Sequence, residues 1–225
     1  MKTAIAVFGK TVGMSPVKTR LQKDLGKERT EHIYKEFCLC TRSVVTAVRA
    51  QFPDSIEMVW SVPEQNAVGI GLPQGWRGMW QGMGDGLGDK LDFVYTTLRE
   101  EFDAVIMIGA DAPHVPVSWL AEAVKTLATG SDFVFGPAAD GGFYLFGGRK
   151  AVPAEVWRAT PYSVETTCTV LKGQINRLGS VGKDLMPLAD VDTIHELKAM
   201  AAFVAHHKSL MLECQTQLAS AVTIL

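Results

Sequence analysis

The sequence predicts an α/β domain built on a mainly parallel sheet. The first reason is that apolar, β-rich runs alternate with helical patterns along the chain. A second is the segment DAVIMIGAD (103–111), bare of charge between Asp103 and Asp111, as expected of a central parallel strand covered on both faces. Length is the third: 225 residues suit one large α/β domain, 1–225, closed by a C-terminal helix over 193–222.

The elements follow in order. TAIAVFG (3–9) is an apolar run ended by Gly and reads as a buried first strand. Ser15 and Pro16 carry N-cap and first-turn chemistry, so VKTRLQKDL is expected as a short helix closed by Gly26. Residues 28–51 form a long helix, with Ile33, Phe37, Val44 and Val48 at helical spacing. IEMVWSV (56–62) is the second strand, and 63–78, rich in Gly and Pro, reads as a long loop. GMWQGMGDGLGDKL passes from a short strand through a Gly-rich turn into a helix with Leu87, Leu91, Val94 and Leu98 as its buried stripe. A helix is expected over 117–128. Strands DFVFGPA and FYLFGG follow, separated by the turn cluster Ala139-Asp140-Gly141-Gly142. A helix near 163–178, a strand near 184–189 and the last helix complete the chain. That helix carries a wide apolar face (Leu197, Met200, Phe203, Val204, Leu210, Met211, Leu218), expected to dock on the sheet; a homodimer through it is the alternative.

Composition removes several functions. Net charge is −2, which argues against a broad nucleic-acid-binding surface. No run of apolar residues is long enough for a membrane span, and the apolar run in MKTAIAVFGK is too short for a signal peptide. Four cysteines without secretory context point to reduced thiols and a cytoplasmic protein. Cys38 and Cys40 lie about 200° apart on their helix and make no metal pair. Gly9-Lys10-Thr11 mimics the end of a Walker A loop, but Ala4 stands where its first Gly is required. No glycine spacing in GMGDGLG (82–88) fits a dinucleotide fingerprint.

Open α/β sheets bind ligands at the carboxyl ends of parallel strands. That rule selects Gly9 and Lys10, Trp80–Asp85, Gly109–Pro113, Asp140–Gly142 and Asp190–Thr193. Lys10, Lys18 and Arg20 surround Gly13 and the start of a helix, a combination suited to a phosphate or diphosphate. Asp111 is held at a strand end, where a carboxylate meets a diphosphate through Mg²⁺ or Mn²⁺. Asp192 or Asp140 would supply a second carboxylate, although Asp190 or Asp192 could equally cap the last helix. Gln81, Gly82 and Asp85 open a helix where backbone and a carboxamide can approach a base or sugar. His114 reads as a solvated turn residue.

The ordered motifs AVFGK, PVKTRL, LGKERTEHIYKEF, QGMGDGLGDKL, VIMIGADAPHV, FVFGPAADGGFYLFG and LADVDTIHEL cover nearly the whole chain. In this set the sequence resembles the nucleotide-diphospho-sugar transferase-like superfamily. More narrowly it resembles the bacterial DUF2064 group of A-type glycosyltransferase-like proteins, kin to phospholactate guanylyltransferase-like nucleotidylyltransferases. The resemblance implies a Rossmann-like three-layer α/β/α sandwich binding an activated nucleotide with a divalent cation. Lys18 and Arg20 match its basic KTR element, and Gln81, Gly82 and Asp85 its QGxGD element. Asp111 matches the acidic strand end, Asp140, Gly141 and Gly142 the DGG element of acceptor or phosphate contact, and Asp192 the late DVDT. GADAP holds one Asp where A-type enzymes carry an Asp-x-Asp pair. Tyr162–Thr167 replaces the group's Trp-Ser-Thr, which implies a changed acceptor preference.

Two enzymatic readings result, with a nucleotide- or partner-binding protein without catalysis as a third. In the first, a sugar moves from a nucleoside diphosphate sugar to a small acceptor. Asp111 and Asp192 hold the metal, Gly9, Lys10, Lys18, Arg20, Gln81, Gly82 and Asp85 the nucleotide, and Asp140, Gly141 and Gly142 the acceptor, with Asp140 as base beside catalytic Asp111. The second joins a nucleoside triphosphate to a phosphorylated substrate and releases pyrophosphate.

Overall fold

The computed structural model describes residues 1–84 and 86–223. In chain order the elements are β1 (Thr3–Phe8), α1 (Gln22–Leu25), α2 (Lys27–Gln51), β2 (Ile56–Val62), β3 (Trp76–Trp80), α3 (Leu87–Arg99), β4 (Ala104–Gly109) and α4 (Val117–Ala128). Then come β5 (Phe133–Pro137), β6 (Phe143–Gly148), α5 (Ala154–Ala159), α6 (Thr167–Arg177), β7 (Gly182–Asp184), α7 (Ile194–His206) and α8 (Glu213–Thr223). Short 3₁₀ turns occupy Gln65–Ala67 and Lys208–Leu210.

The strands form one sheet in the order β3-β2-β1-β4-β6-β5-β7. β1 lies parallel to β2 and β4, β2 to β3, and β5 to β7, while β6 runs antiparallel to β4 and β5. Period-2 alternation divides the core. Ile5, Val7, Ile106 and Ile108 point into the layer formed by α2, α4, α7 and α8. Ala4, Ala6, Val105 and Met107 point into the layer of α3, α5 and α6. The charge-free run at 104–109 is thus buried on both faces, and the architecture is the three-layer α/β/α sandwich. No helix among the described residues is long and apolar enough to cross a membrane.

Several elements depart from the sequence expectation. The helix expected from Val17 is only α1, because Lys18 takes a left-handed φ of 47°; Ser15 therefore caps no helix. Leu87 opens α3 and is 45% exposed, so the buried stripe of that helix is Leu91, Val94 and Leu98. β3 begins inside the stretch read as loop, and α5 was not anticipated. The strand expected at 184–189 pairs with β5 only over Gly182–Asp184. Beyond it Leu185 and Leu188 still donate to Phe135 O and Pro137 O, but Pro187 has no N–H to continue the ladder.

The single C-terminal helix is two helices. His207 leaves helical geometry at φ −105°, ψ 26°, and Gln215 makes the restart. Its Oε1 accepts from Leu212 N (2.8 Å), while Nε2 donates to Pro113 O (2.8 Å) and Val115 O (3.0 Å). This buried carboxamide ties α8 to the loop that follows β4. Leu197, Met200, Val204 and Leu218 are buried in the core layer shared by α2 and the inward side chains of β1 and β4, so the C-terminal apolar face docks within the chain's own core.

His114 is not solvated: it is 2% exposed, edge-on to Phe203 at 5.3 Å, with Nδ1 lacking a hydrogen-bond partner among the described residues. Burial pushes its pKa down to about 3. Below about pH 6.5 the unfolded chain binds a proton that the native ring refuses, so stability falls as pH drops toward 3, by up to ~1.4 kcal/mol per pH unit. His114→Leu should flatten this acid limb. Thermal midpoints of both proteins between neutral and acid pH measure it, and parallel curves would mean that the native ring takes up the proton.

Candidate active site at the carboxyl strand ends

The strand order reverses between β1 and β4, and there the chain leaves both strands at their carboxyl ends. That crevice is where an open α/β sheet holds its ligand. Gly9 N donates to Ser61 O and Ala110 N to Phe8 O, which fixes how the two strand ends open. Lys10 N donates to Tyr34 Oη (2.9 Å), and Thr11 N to the Glu64 carboxylate (3.2 Å to the nearer oxygen). The Lys10 ammonium donates to Pro16 O at 3.2 Å. The N–H groups of Gly9, Lys10 and Thr11 are therefore satisfied within the chain, and α1 is a helix of four residues. The cationic side chains Lys18 and Arg20 are the charged anion partners at this end of the cavity.

Lys18 stands at the centre. Its left-handed backbone turns the side chain inward, where only 3% of it is exposed. The ammonium lies 2.7 Å from Asp111 Oδ1 and 2.7 Å from Asp192 Oδ1, and Arg20 pairs with the other oxygen of Asp192. Burial alone would lower the Lys18 pKa, but the charges of Asp111 and Asp192 outweigh it and raise it. Burial likewise opposes ionisation of Asp192, yet Lys18 and Arg20 hold its carboxyl below the usual range. Asp192 does not cap α7. Thr193 does, through a reciprocal capping box in which Glu196 N donates to Thr193 Oγ1 and Thr193 N to Glu196. Glu196 also accepts from Asp192 N (2.8 Å), and Val191 N donates to Asp111 O (3.1 Å). The two acidic loops are thus stitched together by backbone, leaving both aspartate side chains for Lys18.

Two cavities adjoin at this ion pair. The first, about 470 Å³, is lined by Gly9, Lys10, Lys18, Thr19, Arg20, Tyr34, Gln81 and Lys90 with Asp111 and Asp192. The second, about 320 Å³, is lined by Asp140, Asp190, Gly142, Tyr162 and Ser163 among others, and shares Phe8, Leu87, Asp111 and Asp192 with the first. Basic groups crowd the first and carboxylates the second. A larger cavity of about 780 Å³ between α2 and α8 is lined by Ile33, Leu218, Ala221 and Val222 with scattered polar groups, and lies off the strand ends.

The expected residues separate accordingly. Gly9, Lys10, Lys18, Arg20 and Gln81 meet in the first cavity, Asp140 and Gly142 in the second, and Asp111 and Asp192 in both. Gln81 donates Nε2 to Ser61 O (3.0 Å), which leaves its carbonyl oxygen for a ligand. Gly82 and Gly141 line neither cavity, and packing explains them. At Gly82 (φ 79°) a Cβ would lie 2.4 Å from the Phe93 ring, and at Gly141 (φ 87°) 1.9 Å from Glu165 O. Asp85 lies outside the described residues. Sequence reasoning missed Tyr34 and Lys90, whose only signal was position on helices bordering the crevice. It also set Asp190 aside as a cap candidate. Burial first, then the charge of Asp111, pushes the Asp190 carboxyl up to about 7.

Asp111 and Asp192 are the right donor type for Mg²⁺ or Mn²⁺, and they are brought onto one cation. That cation is Lys18. The pair fits a divalent ion only with the ammonium withdrawn, and no group of three or more His, Cys, Asp or Glu that could hold a metal occurs among the described residues.

The fold is an α/β/α sandwich shared with solved structures. A candidate nucleotide-diphospho-sugar transferase from Desulfovibrio desulfuricans G20 superimposes with a TM-score of 0.81 at 20% identity, covering 99% of this chain and 97% of that one. A 4-diphosphocytidyl-2C-methyl-D-erythritol synthase from Anaerococcus prevotii DSM 20548 gives 0.56 at 11% identity, over 91% and 99%. A CMP:2-keto-3-deoxy-manno-octonic acid synthetase complexed with CTP gives 0.51 at 14%, over 92% and 99%. At these identities the likeness is one of fold. No curated protein matches the sequence. Residues 45–164 match the family described as "Uncharacterized protein conserved in bacteria (DUF2064)", and the chain belongs to that family.

The ammonium between the carboxylates makes a prediction about metal. In the nucleotide-free protein Lys18 should exclude Mn²⁺, and Lys18→Met should admit it to Asp111 and Asp192. Electron paramagnetic resonance of free Mn²⁺ during titration reads this directly. Equal Mn²⁺ affinity of the two proteins would show that Lys18 does not compete.

Proposed function

We propose that the chain is a transferase that moves a sugar from a nucleoside diphosphate sugar to a hydroxyl group of a small acceptor. One observation carries the reading: a basic cavity and an acidic cavity meet at Asp111, beyond the carboxyl end of β4, and Asp192, on the turn before α7. The diphosphate belongs in the first, among Lys10, Lys18, Arg20 and Lys90. Its sugar then points across the shared wall toward Asp140 and Asp190. Gln81 and the backbone around Gly9 border the nucleotide.

In the reaction the bond from the anomeric carbon to the diphosphate oxygen breaks, and the nucleoside diphosphate leaves with the electron pair. An acceptor oxygen bonds that carbon and gives up its proton to a carboxylate of the second cavity, with Asp140 and Asp190 as the candidates. Lys18 and Arg20 stabilise charge on the departing phosphate, the kind of preorganised electrostatic contribution that is commonly the largest in transfer catalysis. Asp111 and Asp192 would hold a divalent cation, Mg²⁺ or Mn²⁺, once Lys18 turns to phosphate; bound there, the ion would neutralise the same diphosphate.

The count of basic groups supports a second reading. With Lys90 the first cavity has cations enough for a triphosphate, and of the structural relatives one is described as a synthetase complexed with CTP and another as a 4-diphosphocytidyl-2C-methyl-D-erythritol synthase. In that case pyrophosphate, not a nucleoside diphosphate, is the product.

Thermal unfolding against nucleoside diphosphates, triphosphates and nucleotide sugars finds the base, and analysis of the released nucleotide separates the readings. Arg20→Ala and Lys90→Ala should each weaken diphosphate binding about tenfold or more, the range of a lost charge-assisted hydrogen bond. Unchanged affinity in both would remove the phosphate from this cavity, and a shift with no nucleotide would leave the chain a fold without this chemistry.

A further inference from the structure

From the donors and acceptors that line the second cavity, we infer that its ligand is an uncharged polyol or an amino-bearing one, and that phosphorylated and carboxylated molecules are turned away. The inference rests on the reading that nucleotide phosphates occupy the first cavity.

Two backbone donors of the DGG turn beside this cavity are engaged inside the chain. Gly141 N donates to Ala138 O (3.1 Å), and Gly142 N to Asp140 Oδ1 (2.9 Å). The N-terminus of α6 opens onto the same space, and a free helix start would favour an anion. Its first N–H groups are also taken: Thr167 N donates to Val164 O (3.1 Å) and Cys168 N to Gly141 O (2.9 Å). The lining hydroxyls follow suit. Tyr144 donates to Met186 O (3.1 Å), Tyr162 to Trp157 O (3.0 Å) and Thr167 to Pro161 O (2.8 Å). Ser163, on the loop where the sequence departs from its group, is the lining hydroxyl without a recorded partner among the described residues.

Acceptors are in excess. Lys18 takes Asp111 Oδ1, Lys18 and Arg20 take Asp192, and Gly142 N takes Asp140 Oδ1. Asp111 Oδ2, Asp140 Oδ2 and both oxygens of Asp190 have no recorded partner among the described residues. No Lys, Arg or His lines the cavity. A phosphate or carboxylate entering would meet carboxylates that repel it and no lining cation to offset the water it loses. A polyol brings hydroxyl donors to those same oxygens, and an ammonium brings charge as well. Phe8, Leu91, Met107, Phe143 and Tyr162 offer apolar surface for the C–H faces of a sugar ring.

The test uses the wild-type chain in EDTA, with and without the nucleoside diphosphate that stabilises it most. Saturation-transfer NMR compares D-glucose, D-mannose and D-glucosamine with glucose 6-phosphate, glucuronate and 3-phosphoglycerate. The neutral and amino probes should bind about tenfold or more above their anionic counterparts. Asp190→Asn should weaken them while leaving nucleoside diphosphate affinity unchanged. Asp140→Lys, at an exposed position, should let glucose 6-phosphate bind. Preference for any anionic probe, silence from all neutral and amino probes, or a glucose 6-phosphate signal unmoved by Asp140→Lys overturns the inference. Nucleotide binding is read separately in the same samples. A chain that binds sugars but no nucleotide sinks the transferase reading alone.

Discussion

The ammonium of Lys18 between Asp111 and Asp192 is the contact on which the site depends. Taking three charges out of water is costly unless each is paired and hydrogen-bonded. Here the lysine is deeply buried while both aspartates keep one side toward the cavities. The arrangement joins three segments distant in sequence: the loop after β1, the end of β4 and the turn before α7. It also accounts for the left-handed Lys18, since a continuous helix from Val17 would not need that backbone. The capping box of α7 serves the same end. By assigning cap duty to Thr193 and Glu196, it frees the Asp192 carboxylate for Lys18 and Arg20.

Around this contact the chain is held by buried amides and paired backbone. Gln215 joins α8 to the carbonyls of Pro113 and Val115, two residues beyond Asp111 and further on. The C-terminal helices thereby bear on the strand-end loop although they lie outside the crevice. Tyr34, on α2, performs a comparable task at the other side by accepting from Lys10 N. Burial raises the Tyr34 pKa well above its ordinary value, so the phenol remains a neutral acceptor for that N–H. The basic cavity is therefore held by helix α2 on one side and by a C-terminal pair on the other.

Much of this was legible in the sequence where a local rule was also the winning rule. The strands at 3–8, 56–62 and 104–109 are continuous apolar runs, and burial on both faces leaves no competing interpretation. Helix 117–128 and the DGG turn followed from periodicity and turn chemistry. The strand-end rule selects Lys10, Gln81, Asp111, Asp140 and Asp192, the basic first loop adds Lys18 and Arg20, and these do line the paired cavities. What failed was local chemistry overruled from a distance. Ser15-Pro16 promises a helix that the ion pair of Lys18 forbids. The apolar face over 193–222 hides the break imposed by Gln215. Gly82 and Gly141 look like places for a ligand to approach, but Phe93 and Glu165 occupy the space. Asp190 lay within the strand-end selection but was weighed as a helix cap, and Lys90 carries no local signature at all, because its significance is a position on a wall formed by other segments.

The opposed charge of the two cavities limits what the shared wall can do. A group transferred between them must leave a strongly anionic body on one side and bond to a donor-rich body on the other. Lys18 is placed between these bodies, and its partners on the acidic side are the carboxylates a cation would otherwise take. On the proposed function, a phosphate entering the basic cavity would compete with Asp111 and Asp192 for one ammonium. Whatever share of Lys18 it captures leaves negative charge on the aspartates, next to the space that lacks any cation of its own. Anion binding on one side thus increases the demand for donors, or for a cation, on the other. The two halves of the site are coupled through a single side chain, and that coupling requires no movement of the sheet that carries it.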